Sequence, residues 1–189
     1  LSSLAAAQLA VYAAMQIPAG MALDRFGARK LIVFGSLLTG VGNLTVAVSE
    51  HLPLAVFGRM IVGFGDAFVF ISMIRLINGW VSGPRATRFT QLFANLGQLG
   101  QVFSAIPFAF LLGAAGWAPA FGVASSLAFI AAAAALSAIR DEPGAIRSTG
   151  NLGDALKQLR ENIADPHTRK AFWVHFTLQS SGSVFILLW

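Results

Sequence analysis

Two ionisable side chains, Arg59 and Asp66, stand deep inside one long apolar stretch, Pro53 to Asn78, whose third charged residue, Arg75, lies near its end. A charge at the centre of a bilayer costs about 2.5 to 3.5 kcal/mol even on the lenient insertion scale, so intramembrane Arg and Asp face a cavity or each other. The two residues lie about two helical turns apart, roughly 10 Å along one face, too far for direct pairing without a long Arg reach. Their chemistry is therefore either proton or substrate coupling, or a buried polar network in which each has partners elsewhere.

Uncharged polar residues recur at helical spacing in three other apolar stretches. Gln91, Asn95 and Gln98 fall within about 60° of one another at 100° per residue, with Gln101 at the edge. Such a stripe lines an aqueous cavity or hydrogen-bonds a neighbouring helix. On the adjacent faces Gly97, Gly100 and Ser104 permit close packing, and Pro107 can kink the helix. Gln8, Tyr12 and Gln16 share a face, and Tyr12 is the single tyrosine of the chain; cavity lining and core hydrogen bonding are both open to them. His175 and Gln179 share a face near Ser180, Ser181 and Ser183, and this histidine either titrates near neutral pH or packs as a satisfied residue. His51 and His167 fall at loop positions and receive no role.

The elements that must position these groups follow from composition. The 189 residues are 56% hydrophobic and 11% charged, with a mean hydropathy of +0.71, whereas soluble domains are about 45 to 50% apolar and about 25% charged. These values exclude a disordered or ordinary soluble protein. Six runs approach the roughly 20 apolar residues that a helix needs to cross a bilayer: Leu1 to Leu23, Leu31 to Ser49, Pro53 to Asn78, Phe89 to Leu112, Ala118 to Ile139 and Ala171 to Trp189. Each is too long for a barrel strand, and alternating ten-residue segments are absent, so the expected class is an all-α polytopic membrane protein. The Ala131 to Ala135 run fits a tightly packed membrane helix. With no cysteine, disulfides and thiolate chemistry are excluded. No spacing matches a metal or cofactor site, a P-loop lysine or a serine nucleophile elbow, so no enzyme is expected.

The cations set the orientation. All but Arg59 and Arg75 of the 13 Lys and Arg fall in three alternate connections: Asp24 to Lys30, the turn with Arg85 and Arg88, and Arg140 to Lys170. Glu50 to Leu52 and Gly113 to Trp117 carry none. Positive residues mark the cytoplasmic side, so the net charge of +5 points to membrane topology and not to nucleic acid. This orientation puts Leu1 at the outer face, which implies a preceding helix, and the apolar run reaching Trp189 implies that the chain stops early; no signal peptide precedes the first run.

Three parts are expected: a bundle over 1–139, a cytoplasmic segment over 140–170 and a last helix over 171–189. Within the middle part Leu152, Leu156, Leu159 and Ile163 recur at helical spacing, which predicts a short amphipathic helix, either a solvated linker or one lying on the membrane surface. Asp165 and Pro166 then read as the cap and first position of the last helix.

The first basic connection reads Gly20-Met21-Ala22-Leu23-Asp24-Arg25-Phe26-Gly27-Ala28-Arg29-Lys30. Asp24 can cap the next helix, Gly27 can supply a positive-φ turn, and Arg29 and Lys30 mark the inner interface. This pattern resembles the loop between helices two and three of the major facilitator superfamily. Arg59 to Ala67, with Gly63, Gly65 and Asp66, resembles the fourth-helix pattern of the same superfamily. Gly100 and Pro107 do not reproduce the Gly-Pro pair of the antiporter signature in helix five. The resemblance implies a fragment covering helices two to seven of a secondary transporter, with helices two to six in 1–139. It also implies a substrate site near the midplane between two six-helix halves. Its partners would be the lipid bilayer of the inner or plasma membrane, a small-molecule solute, protons and the remaining half of the same transporter. A basic residue at Arg75 can then join Asp24 as a gate latch, or serve as an interfacial anchor. Alternatives in function are an uncoupled facilitator and a non-transporting membrane sensor or assembly subunit.

Overall fold

A computed structural model describes residues 2–141 and 152–188. Among them the secondary structure is helical: α1 Ser2–Ala14, α2 Gln16–Phe26, α3 Ala28–Ala47, α4 Leu52–Trp80, α5 Pro84–Ala115, α6 Trp117–Ala138, α7 Leu152–Ala164 and α8 Pro166–Leu188. The chain divides into two compact units, Leu1–Ser148 and Thr149–Trp189. Helices α3 to α6 are each long and apolar enough to cross a bilayer, and α1 and α2, bent by 50° at their junction, are so when taken together as one broken segment. The protein is thus a polytopic all-α membrane protein.

The bend corrects the expectation of one unbroken helix over Leu1 to Leu23. Pro18 has no N–H to donate to the Ala14 carbonyl, and its ring crowds that carbonyl, which breaks a helix one turn upstream. The break is confined to Met15, whose N–H still bonds Val11 O at 2.9 Å and whose carbonyl accepts from Ala19 N at 2.8 Å. Pro107, by contrast, lies within a continuous α5.

Water gives no drive for helix pairing inside a bilayer, so close backbone approach through small residues must supply it. Helices α3 and α4 do this with glycines in matched antiparallel register. A Cβ on Gly35 would lie 2.6 Å from Gly65 O, and one on Gly42 would lie 2.7 Å from Gly58 O. Gly40 turns to α6, where its missing side chain leaves room for the Phe129 ring and its carbonyl accepts from Ser125 Oγ at 2.8 Å in a buried contact. Farther along, Trp117 Nε1 donates to Val46 O at 2.8 Å while its ring lies 4.7 Å from that of Phe121.

Around this frame Ala19, Leu23, Ala28, Leu31, Ile32, Ala67, Phe68 and Ala135 form one buried cluster. Ala132 and Ala135 are the buried members of the alanine run in α6. Helix α5 is different, since Ala86 is its single buried residue among those described. It meets its neighbours through rings, Phe93 against Phe70 of α4 and Phe108 edge-on to Phe121 of α6. The close packing expected at Gly97, Gly100 and Ser104 does not occur: no atom lies within 4 Å of where a Cβ would stand on either glycine, and Ser104 is exposed and bonds Gln101 O of its own turn. Within the described chain no helix covers that face.

In the second unit Asp165 caps α8 as expected. Its Oδ2 accepts from Thr168 N and Thr168 Oγ1, each at 3.0 Å, with Pro166 at the first helical position. These two bonds hold its carboxyl below the ordinary aspartate range. In the amphipathic α7, Ile163 is exposed, and the side chains of Leu152, Leu156 and Leu159 lie outside the described residues.

Candidate functional site

Asp66 is where three helices converge. Gln8 Nε2 of α1 donates to its Oδ2 at 2.9 Å, and Thr39 Oγ1 of α3 lies 3.3 Å from its Oδ1. The glycines just before it make this possible. A Cβ on Gly63 would collide with the Gln8 carbonyl oxygen, and one on Gly65 would stand 2.7 Å from Thr39 Oγ1. The two glycines thin α4 on both sides of one turn, so α1 and α3 bring their polar groups onto one carboxylate. Thr39 was not singled out from sequence; its signal is its place between Gly35 and Gly42 on the face of α3 that meets α4.

This arrangement can accommodate both protonation states. Thr39 Oγ1 is also 3.0 Å from Gly35 O. With Asp66 ionised, the Thr39 hydroxyl can donate to the carboxylate. With Asp66 neutral, the acid can donate to Thr39 Oγ1 while the Thr39 hydrogen turns to Gly35 O, because a hydroxyl both donates and accepts. The Gln8 amide can likewise present its oxygen or its nitrogen to the carboxyl. Arg59 is half-buried, and among the described residues no ion pair joins it to Asp66.

At the basic end, Arg75 Nη1 of α4 meets Asp24 Oδ1 of α2 at 3.1 Å, with the two side chains 43% and 49% exposed. A pair this exposed contributes only about 0.2 to 1 kcal/mol, which makes it a contact that opens easily. Asp24 does not cap α3. Helix α2 continues through Phe26, which draws Asp24 into its last turn, and the N-cap position falls to Gly27 at φ 87°. Glycine supplies no capping side chain, and Asp141 does so instead, its Oδ1 accepting from Arg29 N at 2.8 Å. Arg29 Nη2 donates to Leu136 O at 2.6 Å. Arg25 lies over the Phe26 ring at 5.6 Å, Lys30 is exposed, and a Cβ on Gly20 would meet Ile71 Cδ1 at an ordinary 3.8 Å.

Tyr12 and Gln16 are half-buried, and Gln16 Nε2 reaches back across the bend to Tyr12 O at 3.3 Å. Gln91, Asn95 and Gln98 are exposed along α5. His175 is exposed on α8 in the second unit, and the side chain of Gln179 lies outside the described residues.

A bundle of spanning helices joined by glycine contacts, with one acid held inside it and a charged pair at its basic rim, is that of a polytopic helical membrane protein. The sequence profile of the Major Facilitator Superfamily matches residues 1–189, and the chain belongs to that family. It is 32% identical over 115 residues to a probable sulfoacetate transporter, SauU, of Cupriavidus necator, an alignment covering 58% of this chain and 26% of the relative. It is 27% identical over 163 residues to a probable galactarate/D-glucarate transporter, GarP, of Escherichia coli, covering 81% of this chain and 35% of the relative. A multidrug resistance protein B homolog of Mycobacterium tuberculosis is 32% identical over 141 residues, 71% of this chain and 25% of the relative. The chain thus spans about a quarter to a third of the length of these relatives.

Proposed function

We propose that this chain forms part of a secondary transporter that moves a small solute by alternating access, coupled to protons through Asp66. The observation that carries this reading is the seat of Asp66, an acid within a membrane-spanning helix whose partners Gln8 and Thr39 come from two other helices and suit both its charged and its neutral form. Family membership supports the transport part, and the printed names of the relatives support a small solute. Two of those names carry small organic anions, and Arg59 supplies a cation on the same helix, so anionic solutes come first in a substrate screen.

In this mechanism α3, α4 and α6 act as a rigid frame. Protonation of Asp66 rearranges its bond to Gln8, and α1 can respond by pivoting at Met15 while α2 stays seated. The Asp24–Arg75 pair holds one state at the cytoplasmic face, and the polar residues Tyr12, Gln16, Gln91, Asn95 and Gln98 line the solute path within the first unit. The test is transport by the full-length protein in proteoliposomes with and without an imposed pH gradient. Gradient-driven accumulation that Asp66→Asn abolishes, with solute binding retained, is expected. Wild-type pH dependence in that variant would sink proton coupling through Asp66. Downhill flux alone in the parent would make the protein a facilitator, and no flux of any solute would make it a sensor or assembly subunit.

A further inference from the structure

We propose that Asp141 is a positioning residue of the gate: its carboxylate seats the Gly27 turn on the end of α6, and through that turn fixes where Asp24 meets Arg75. Four observations support this. Asp141 Oδ1 accepts from Arg29 N, the second residue of α3, at 2.8 Å, the bond that an N-cap side chain would make if Gly27 had one. The carboxylate fills the space that Gly27 leaves, since a Cβ there would stand 2.8 Å from Asp141 Oδ2. Arg29 Nη2 adds a second tie to α6 at Leu136 O, 2.6 Å away. Trp80, the last residue of α4, adds a third by donating from Nε1 to Arg140 O at 3.1 Å. The residues just past α6 therefore gather the α2–α3 turn and the end of α4 into one rim.

Asp24 lies one turn before Gly27 on α2, and Arg75 lies near the end of α4 that Trp80 closes. Both partners of the pair are thus carried by segments tied to 136–141. An exposed ion pair is weak by itself, whereas a carboxylate bonded to a helix-end N–H also meets the positive end of the helix dipole. The cap is the firmer of the two contacts, so the turn stays seated while the Asp24–Arg75 pair opens and closes. Without the cap the pair loses its fixed geometry.

This proposal rests on the gate reading of Asp24 and Arg75, and the experiment separates the two. In the full-length transporter, spin-label distances across the cytoplasmic face are measured in Asp141→Ala, Asp141→Asn and Asp24→Asn. Asp141→Ala should shift the ratio of inward to outward states several-fold in the same direction as Asp24→Asn. Asp141→Asn should restore most of the parent ratio, because Asn keeps the accepting oxygen and gives up only the charge–dipole part. A shift in Asp24→Asn with none in Asp141→Ala would overturn the positioning role alone. No shift in either would overturn the latch and the positioning role together. Should Asp141→Ala fail to accumulate, Asp141→Glu keeps the charge and displaces the acceptor by one methylene. Faster amide exchange confined to the first turn of α3, with the same population shift, supports the role, and parent-like exchange and populations overturn it.

Discussion

Helices α3 and α5 are similar in apolar character, though α5 is the longer at 32 residues against 20, yet 44% of the most apolar stretch of α3 is buried and none of that of α5. Both carry several glycines. In α3 each of Gly35, Gly40 and Gly42 meets a partner surface shaped for it, and in α5 Gly97, Gly100 and Gly113 meet nothing within 4 Å. Glycine by itself therefore does not make a helix seam. A seam needs a second set of small residues in register, as Gly58 and Gly65 provide, because lipid competes on equal terms with any apolar neighbour that fits less closely. Helix α3 is built to hold, and α5 presents its polar stripe outward from the described unit.

The sharpest way to break this contrast is Gly65→Val against Gly100→Val. At Gly65 the new side chain meets Gly35 O and Thr39, neither of which can move without separating α3 from α4. A loss of about 3 kcal/mol or more in stability is expected, at the upper end of overpacking penalties, read as the thermal midpoint of the purified protein. At Gly100 the same change should cost little, and equal losses at both sites would erase the distinction. Next in size is Thr39→Val, which leaves Asp66 Oδ1 without its donor at nearly constant volume. A loss of about 1 to 3 kcal/mol is expected for the unmet polar group, with Thr39→Ser close to the parent in the same unfolding assay. A smaller effect of opposite sign should follow Gly100→Ala, which gains up to about 1 kcal/mol of helix propensity where nothing obstructs the methyl group.

The smallest effect concerns Asp165. Because its carboxyl is held below the ordinary aspartate range in the folded protein, the stabilisation that its cap gives is complete above the unfolded-state value near 3.9 and is lost as pH falls through the lower folded-state value. Amide exchange in the first turn of α8 should accelerate over that interval. Asp165→Asn should keep the cap and remove the pH dependence, and an unchanged pH profile in that variant would refute this account.

The caps also show what the residue order reveals. Asp165 and Pro166 were legible because cap and helix are adjacent in the chain. At α3 the same local logic selected Asp24, but α2 runs two residues past it and the capping carboxylate comes from Asp141, 112 residues from the Arg29 amide it accepts from. Asp66 was legible as a charge in an apolar run, and its partner Thr39 was not, since that pairing depends on the register of α3 against α4. The break at Met15 had a visible signal in Pro18, hidden by the continuity of the apolar run. The bounds of the runs were read from hydropathy to within a few residues, except that α5 and α8 each begin five residues earlier than the apolar run, at Pro84 and Pro166, and the sixth run, in α8, is not among the described helices apolar enough to cross a bilayer.

The matched glycines have a mechanical consequence. Gly35 faces Gly65 and Gly42 faces Gly58, contacts two turns apart on each helix. A slide of one turn, about 5.4 Å, would set Gly65 against Leu31 or Thr39 and Gly58 against Leu38 or Val46, so the pair has one notch and no neighbouring one. Helices α3 and α4 are thus keyed together like a shaft and its slot, whereas the break at Met15 and the sparse burial of α5 among the described residues carry no such key.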